Sequence, residues 1–285
     1  MKPSAFDATL PPGLISRAVT AALDEDLGLA GDITTNATVP AQAMARAVIA
    51  ARKPGVVSGL AVAQATFGAV DAAVAFESVV RDGDAVAVGA IIAKIDGPAR
   101  AILTGERVAL NFMGRMSGIA TLTRRYVDAI AGTKATIVDT RKTTPGLRAF
   151  EKYAVRCGGG MNHRVGLFDA ILIKDNHIVA AGGLAAAISA ARSRAGHLVK
   201  IEVEVDTLAQ LGEVMAHRVD VVLLDNMTPA QLKTAVARLA GAMLTEASGG
   251  VSLDTVRAIA EAGVDLISVG ALTHSAPVLD LGLDF

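Results

Sequence analysis

The amino-acid sequence predicts an α/β fold in two parts, a mixed α+β unit followed by a parallel α/β barrel. A chain of 285 residues, at roughly 150 residues per domain, indicates about two domains or one large one. From about residue 135 onward, short apolar runs alternate with helical stretches at the spacing of βαβ units. Aromatic residues make up only 3% of the chain, so we expect a core built mainly from Ala, Val, Leu and Ile.

The first part contains helices and strands without a regular alternation. Apolar residues at positions 14, 15, 18, 19, 22 and 23 recur at helical spacing and predict a helix over 13–27. Apolar runs bounded by glycine predict strands, and two further stretches are typical of helices. The predicted strands are 46–51, 73–81 and 85–95, and the predicted helices are 60–71 and 98–132, the latter broken near Gly114 to Gly118.

The second part is predicted to be a parallel sheet with helical crossovers. Apolar runs predict strands at 135–139, 170–173, 199–205, 219–224, 242–247 and 264–270. Helices are expected between them, near 145–156, 182–195, 207–217, 228–240 and 252–262. These six units, with a seventh strand near 114–134 or at the end of the chain, favour a barrel, and a doubly wound open sheet is the alternative.

The charge balance and the cysteine content argue against several classes of protein. The 27 basic and 28 acidic residues give a formal net charge of −1, whereas general nucleic-acid or membrane-surface binders carry a large basic excess. The single cysteine, Cys157, excludes an internal disulfide framework and a multi-cysteine zinc site. No adjacent group would make it a nucleophile, so we expect a packed or solvent-neutral residue. The N-terminus has no apolar segment typical of a secretory signal, and the weakly apolar run 178–191 is shorter than a membrane span. We therefore expect a cytoplasmic protein.

Polar residues follow almost every predicted strand of the second part. In a parallel barrel the carboxyl ends of the strands meet at one rim, which is where active sites lie. The cations at these ends are Arg141, Lys142, Arg164 and Lys174, with His163 beside Arg164. Such a concentration of positive charge in a neutral protein predicts a pocket for a small polyanion, because Arg pairs with carboxylates and Lys with phosphates.

Two further groups at the same rim suggest chemistry but leave alternatives open. The segment Ser248-Gly249-Gly250 precedes a helix expected near Ser252, which favours a phosphate site over an ordinary turn with Ser252 as the helix N-cap. Glu204 and Asp225 sit at neighbouring strand ends. They are equally compatible with a hydrated Mg²⁺ site and with ion pairs to the nearby cations. Tight zinc binding is not expected, since no zinc-ligand spacing is present.

These residues belong to a longer series of motifs. In chain order they are EDLG (25–28), GDITT (31–35), TGERVALNFMGRMSGIAT (104–121), DTRKTTPGLRAFEKYAVRCGGGMNHR (139–164), LIKDNH (172–177), EVEVD (202–206), LLDN (223–226), EASGG (246–250) and SVGALTHS (268–275). With them the chain resembles the quinolinate phosphoribosyltransferase family over almost its whole length. A related group linked to molybdenum transport genes lacks the full LIKDNH block, which is intact here.

The resemblance implies an N-terminal α/β sandwich domain and a C-terminal, incomplete TIM-like α/β barrel. The implied bounds are 1–116 and 117–285, with the last ~10 residues packing back on the N-terminal domain. Members of the family form homodimers whose active sites take residues from both subunits, and some assemble into hexamers. The partners implied are therefore a second copy of the chain and small-molecule substrates, with no nucleic acid and no membrane.

The resemblance also implies a reaction, in which quinolinate and 5-phosphoribosyl 1-pyrophosphate give nicotinate mononucleotide, pyrophosphate and CO₂ with Mg²⁺ as the cofactor. Quinolinate would be bound by Arg141, His163, Arg164, Lys174 and, from the neighbouring subunit, Arg107. Phosphoribosyl pyrophosphate would be bound by Lys142, Glu204, Asp225, Ser248, Gly249, Gly250, Gly270 and His274. The implied catalytic residues are Lys142, Lys174, Glu204 and Asp225, of which the two acids would hold Mg²⁺, directly or through water.

Two other functions are compatible with the polar residues alone. A Schiff-base aldolase would use Lys174 at a strand end together with the phosphate-binding segment 248–250. A non-enzymatic binding protein for phosphorylated metabolites would need the positive pocket but not Glu204 and Asp225. Borohydride trapping distinguishes the first from a phosphoribosyltransferase, and a turnover measurement distinguishes the second.

Overall fold

The computed structural model describes residues 9–285, so the N-terminal residues 1–8, where no secretory signal is expected, lie outside the described part. The chain divides into two compact units. Unit 1 holds the residues up to Arg124 together with Ala149–Gly159 and Ser275–Phe285. Unit 2 holds Arg125–Arg148 and Gly160–His274. The domain boundary at 116/117 stays a prediction.

Unit 1 is built on a four-stranded antiparallel sheet in the order β12-β1-β5-β3. These strands are β1 (Met44–Ala51), β3 (Ala75–Ser78), β5 (Ile91–Pro98) and β12 (Leu281–Asp284). A separate two-stranded ribbon pairs β2 (Gly55–Val56) with β4 (Ala85–Val86). The prediction of one strand over 85–95 is therefore wrong, because a turn with Gly89 at φ 79° separates β4 from β5.

The helices of unit 1 cover this sheet with aliphatic side chains. They are α1 (Pro12–Leu27), α2 (Ile33–Thr38), α3 (Leu60–Val70) and most of α4 (Ala99–Ala129). The core between them is almost entirely aliphatic, and Phe67 is its only fully buried aromatic side chain within the described residues. The composition-based prediction of an aliphatic core is confirmed.

The long helix α4 is continuous over 31 residues, so the break predicted near Gly114 to Gly118 is wrong. These glycines instead let a neighbouring segment approach the helix backbone. A Cβ at Gly118 would overlap the carbonyl oxygen of Pro277, and one at Gly114 would lie 3.0 Å from the carbonyl oxygen of Leu279. Glycine at these positions therefore allows the helix backbone to pack closely against the 277–279 backbone and does not mark a helix end.

Unit 2 contains a six-stranded parallel sheet in the order β6-β11-β10-β9-β8-β7. Its strands are β6 (Thr136–Val138), β7 (Ile171–Ile173), β8 (Ile201–Val205), β9 (Val221–Asp225), β10 (Leu244–Ser248) and β11 (Leu266–Ser268). A seventh strand is found at neither predicted place, because 114–129 lies in α4 and β12 pairs with β1. One parallel bridge, between Val138 and Met161, extends the sheet beyond β6.

Helical crossovers connect the strands of unit 2, as the alternating sequence predicts. The helices are α6 (Asp175–Ala181), α7 (Leu184–Arg194), α8 (Leu208–Met215), α9 (Pro229–Leu239), α10 (Val256–Glu261) and α11 (Ala271–His274), while α5 (Arg148–Cys157) lies mainly in unit 1. Thr207 and Thr228 begin α8 and α9 with capping boxes, in which each hydroxyl accepts from a backbone N–H. Over residues 9–285, no helix is both long and apolar enough to cross a membrane.

Of the two alternatives predicted for Cys157, at the end of α5, the structure shows the packed thiol. Its Sγ lies 3.4 Å from Ser58 Oγ, which donates to it. Burial raises the pKa of the Cys157 thiol to about 11. A thiol of this kind stays protonated at neutral pH and is a poor nucleophile.

Candidate active site

The carboxyl ends of the parallel strands in unit 2 enclose a cavity of about 720 Å³. Twelve predicted site residues line it: Arg141, Lys142, His163, Arg164, Lys174, Glu204, Asp225, Ser248, Gly249, Gly250, Gly270 and His274. Arg107 is the one predicted site residue, within the described chain, that does not line it. That side chain lies on α4 in unit 1 and is 64% exposed.

A buried aspartate at the end of β6 holds the two basic loops of the pocket in place. Asp139 is fully buried and directly precedes Thr140 and Arg141. Its Oδ1 accepts the backbone N–H of His163 at 2.9 Å, and its Oδ2 accepts from Asn162 Nδ2 at 2.6 Å. The β6 loop and the 161–164 segment are thereby fixed against each other.

Arg141 and Arg164 place two partly buried guanidinium groups in the pocket. The Nε atom of each is buried and has no hydrogen-bond partner in the protein. Arg164 Nη1 donates to the carbonyl oxygen of Ala170 at 3.1 Å, which orients the group. Burial and then the charge of Arg141 lower the pKa of Arg164, whereas the carboxylate of Glu202 raises it. Two unpartnered donors on adjacent cations are suited to an anionic ligand.

Lys174 and Glu204 form an ion pair between the carboxyl ends of β7 and β8. The Lys174 ammonium donates to Glu204 Oε2, and both side chains line the pocket. The backbone N–H of Lys174 also donates to His177 Nδ1 at 2.9 Å, which fixes the start of α6. Of the two alternatives for Glu204, the structure therefore shows the ion pair, with Lys174 as the partner. Glu204 still lines the cavity.

The end of β11 shapes the environment of Lys142. Thr273 Oγ1 donates to the carbonyl oxygen of Lys142 at 2.6 Å. A Cβ at Gly270 would lie 3.1 Å from His274 Nε2 and 3.3 Å from Lys142 Cδ. Glycine is thus the residue that leaves room for the Lys142 and His274 side chains to converge at this side of the pocket.

The segment after β10 forms a glycine-rich loop rather than a helix start. Gly249 and Gly250 have φ of 89° and 60°, which L residues rarely adopt. The short helix α10 begins at Val256, four residues later than predicted, and its N-cap is Thr255. The interpretation of Ser252 as a helix N-cap is therefore wrong, and the phosphate site predicted at 248–250 would have to use loop amides rather than a helix N-terminus.

Asp225 lies beside this loop at the end of β9. Ser248 pairs with Asp225 in the parallel register, and the backbone N–H of Asn226 donates to the carbonyl oxygen of Ser248 at 2.9 Å. Asn226 Nδ2 donates to Asp225 Oδ2 at 2.6 Å, which orients the carboxylate. The pocket thus has an acidic wall, formed by Glu204 and Asp225, opposite in charge to its arginines.

Sequence reasoning missed two glutamates that cluster with His163 at the floor of the pocket. His163 and Glu246 line the cavity, whereas Glu202 contacts His163 without lining it. Glu202 and Glu246 are 7% and 1% exposed, and they lie against His163. Glu202 Oε2 is 2.9 Å and Glu246 Oε1 is 3.7 Å from His163 Nε2. The available signal was the Glu-Val-Glu order in β8, since residues two apart in a strand share a face.

Comparisons with known proteins identify the family of the chain. The family model described as "Quinolinate phosphoribosyl transferase, N-terminal domain" matches residues 32–117, and the corresponding C-terminal domain model matches residues 119–284. Nicotinate-nucleotide pyrophosphorylase [carboxylating] of Mycobacterium leprae is 48% identical, over 92% of this chain and 94% of that protein. A probable nicotinate-nucleotide pyrophosphorylase [carboxylating] of Bacillus subtilis is 45% identical, over 91% and 89%.

Solved structures give the same answer for the fold. NadC from Streptococcus pyogenes superposes with a TM-score of 0.94 at 42% identity, over 98% of each chain. The nicotinate-nucleotide pyrophosphorylase from Francisella tularensis superposes with a TM-score of 0.93 at 39% identity, over 97% of each chain. The predicted α/β class, with an N-terminal α/β domain and an incomplete barrel, is confirmed.

Proposed function

The chain belongs to the quinolinate phosphoribosyltransferase family, and we propose that the pocket of unit 2 catalyses that family's reaction. The enzyme is a pentosyltransferase of NAD biosynthesis. The quinolinate nitrogen displaces pyrophosphate from C1 of phosphoribosyl pyrophosphate, and loss of CO₂ from C2 of the ring then gives nicotinate mononucleotide after a proton replaces the carboxylate. The observation that carries the proposal is one cavity that combines unpartnered guanidinium donors, the acids Glu204 and Asp225 and a glycine-rich loop.

Quinolinate would occupy the cationic side of the pocket. Its two carboxylates match the buried Nε donors of Arg141 and Arg164, and Lys174 adds a point charge at the same rim. Holding the ring by both carboxylates aims its nitrogen at the ribose, which converts a bimolecular encounter into an oriented one. After transfer the ring nitrogen is cationic, so it can accept the electron pair released by decarboxylation.

Phosphoribosyl pyrophosphate would occupy the opposite side. The backbone amides at 248–250 are suited to the 5′-phosphate, and Lys142 is suited to the departing pyrophosphate. Glu204 and Asp225 would offset the positive charge that develops on the ribose as pyrophosphate leaves. No covalent intermediate with the protein is required.

Magnesium is the cofactor we propose, and the donor set fits it. Glu204 and Asp225 offer carboxylate oxygens at the cavity wall, and a hydrated Mg²⁺ needs only one or two carboxylates besides substrate oxygens. When bound, the ion would neutralise charge on the pyrophosphate. The Asn226 side-chain amide donates a 2.6 Å hydrogen bond to the Asp225 carboxylate and so fixes its orientation.

A cytoplasmic homodimer with shared active sites, able to assemble further into hexamers, completes the proposal. Arg107 does not line the pocket of unit 2, yet its side chain is 64% exposed and makes a 3.5 Å ion pair with the adjacent Glu106. It would serve as a quinolinate ligand of a second subunit. An unbridged cysteine suits a reducing compartment.

The aldolase alternative is disfavoured by the same geometry. Schiff-base formation needs a neutral amine, but the Lys174 ammonium is ion-paired with Glu204. A passive binding protein would not explain the oriented acidic pair of Glu204 and Asp225. The family membership also argues against both alternatives.

The experiment that tests the proposal is a product assay. Purified protein with quinolinate, phosphoribosyl pyrophosphate and Mg²⁺ should form nicotinate mononucleotide and release one CO₂ for each pyrophosphate. Nicotinate replaces quinolinate in the control reaction. Borohydride treatment with a carbonyl substrate should leave Lys174 unmodified, and trapping of Lys174 without nucleotide formation would reverse the assignment.

A further inference from the structure

At the floor of the pocket, three ionisable side chains lie close together. His163 Nε2 and one carboxylate oxygen each of Glu202 and Glu246 lie within 4.8 Å of one another. The two glutamates are buried on β8 and β10. Two carboxyl groups this close and this buried are not both ionised unless a cation separates them, so the cluster must hold either a metal ion or a proton.

The hydrogen bonds of His163 favour the proton. The backbone N–H of Arg164 donates to Nδ1 at 2.8 Å, so Nδ1 carries no hydrogen. The neutral ring then carries its hydrogen on Nε2, which donates to Glu202 Oε2 at 2.9 Å. A metal ligand would need a bare Nε2 lone pair. The ring therefore presents an N–H to the glutamates, and that arrangement does not bind a cation.

The glutamate oxygens point to the same conclusion. Oε1 of Glu202 and Oε1 of Glu246 are both buried and without a hydrogen-bond partner. One proton on the pair supplies the missing donor. Glu246 is the better holder, because burial and then the charge of Glu202 raise the pKa of Glu246 to about 8.

The surroundings of Glu246 offer little else that could change its charge. Its neighbours in register on β9 and β11 are the apolar Leu223 and Leu266. Ser268, also on β11, is a neutral hydrogen-bond partner of the Glu246 carboxyl. Of the described residues, the ionisable groups that act on it are Glu202 and His163.

We propose that Glu246 is a positioning residue, a neutral carboxylic acid that fixes His163 together with the Glu202 carboxylate and limits the floor of the pocket to one negative charge. That single charge acts on the guanidinium of Arg164, whose pKa the Glu202 carboxylate raises. A second carboxylate there would repel a dianionic ligand. The inference deepens the proposed function, since it takes quinolinate as the ligand above the floor.

The test compares wild-type protein with Glu246→Gln, which keeps the shape of the neutral acid but cannot ionise. Glu213→Gln, at an exposed position on α8, is the matched control. Infrared difference spectra at pH 7 should show a protonated carboxyl stretch that Glu246→Gln loses and Glu213→Gln keeps. Quinolinate affinity should fall at least ~10-fold between pH 7 and pH 9 in the wild type and in Glu213→Gln, but stay flat in Glu246→Gln.

Three results would overturn the proposal. They are a wild-type spectrum without the carboxyl band, an alkaline loss of affinity that survives in Glu246→Gln, and stoichiometric Zn²⁺ or Mn²⁺ binding that Glu246→Gln removes. If quinolinate binds at no pH, the proposed function fails, while the infrared band still decides the protonation of Glu246. The two failures are thereby distinguishable.

Discussion

Gly249 packs directly against Asn226, so that a Cβ on Gly249 would overlap Asn226 Oδ1 and lie 2.9 Å from the Asn226 backbone nitrogen. Both residues have positive φ, 89° for Gly249 and 53° for Asn226. The contact joins the loop after β10 to the end of β9, where Asn226 orients Asp225. The absence of a side chain at Gly249 therefore leaves room for Asn226, which in turn orients Asp225, a proposed catalytic acid.

Gly249→Ala should consequently damage both stability and function. We expect a loss of about 1–3 kcal/mol in the free energy of unfolding from backbone strain, with a further loss from the overlap with Asn226. KM for phosphoribosyl pyrophosphate should rise as well. Gly241→Ala is the control, because Gly241 has a similar φ of 80° but nothing within 4 Å of an added Cβ. Equal effects of the two changes in urea unfolding would show that the Asn226 contact is unimportant.

The pocket should distinguish two carboxylates from one. Nicotinate lacks the 2-carboxylate and would leave one of the buried guanidinium donors of Arg141 and Arg164 without a partner, which is costly in a partly buried site. We expect kcat/KM for quinolinate to exceed that for nicotinate by at least ~10²-fold. The comparison uses the same enzyme and the same phosphoribosyl pyrophosphate concentration. Comparable turnover of nicotinate would contradict a dicarboxylate site.

Much of the site follows from the sequence because of how parallel sheets are built. Arg141 and Lys174 follow apolar strands and Asp225 is the last residue of one, and the carboxyl ends of parallel strands converge whatever the loops between them do. Glu246 was missed for the opposite reason. It lies within its strand rather than after it, and only the register and the face it shares with Glu202 reveal its place.

The glycines of α4 show a second limit of sequence reasoning. Glycine pairs within a helical pattern usually mark an end or a kink, because glycine is a poor helix former. Gly118 does neither, since it accommodates the backbone of Pro277, a residue 159 positions away (277 − 118). Such a contact is set by tertiary packing and leaves no local trace in the sequence.

Shared active sites should be detectable by mixing inactive variants. Arg107→Ala removes the residue expected to act in the neighbouring subunit, and Lys174→Ala removes one from the pocket of unit 2. After subunit exchange, half of the dimers are hybrids with one intact site, so about a quarter of wild-type activity should return. Mixing Lys174→Ala with Arg164→Ala is the control, because both residues line one pocket and no hybrid regains an intact site. Absence of recovery despite demonstrated exchange would place Arg107 outside the site.

Asp225→Asn should separate a structural role from a catalytic one. The change keeps the shape of the side chain and removes its charge, while quinolinate still meets the basic residues. We expect quinolinate affinity to be retained and kcat to fall by at least ~10²-fold, the scale for loss of one preorganised electrostatic group. Both are measured on folded protein, with circular dichroism as the check. Near-normal turnover would leave Asp225 as a structural partner of Asn226.

Ionisation of Glu246 should make the free energy of unfolding depend on pH. Its pKa is raised by burial from an ordinary 4.5 to about 8 in the folded protein, so between these values the folded state binds more protons than the unfolded state. The contribution of Glu246 to the free energy of unfolding is therefore most favourable below pH 4.5 and is lost as the pH rises to about 8. Each pKa unit corresponds to ~1.4 kcal/mol.

The glutamine of Glu246→Gln cannot ionise, so this variant should not lose stability through position 246 as the pH rises. We expect the variant to gain stability relative to the wild type as the pH is raised from 6 to 9, by an amount on the order of 2 kcal/mol. Urea unfolding at several pH values measures the difference, and Glu213→Gln, exposed on α8, should follow the wild type throughout. A constant difference between Glu246→Gln and the wild type would mean that Glu246 is ionised across this range. The carboxylate pair would then need a cation other than a proton, since the neutral ring of His163 does not compensate two buried negative charges.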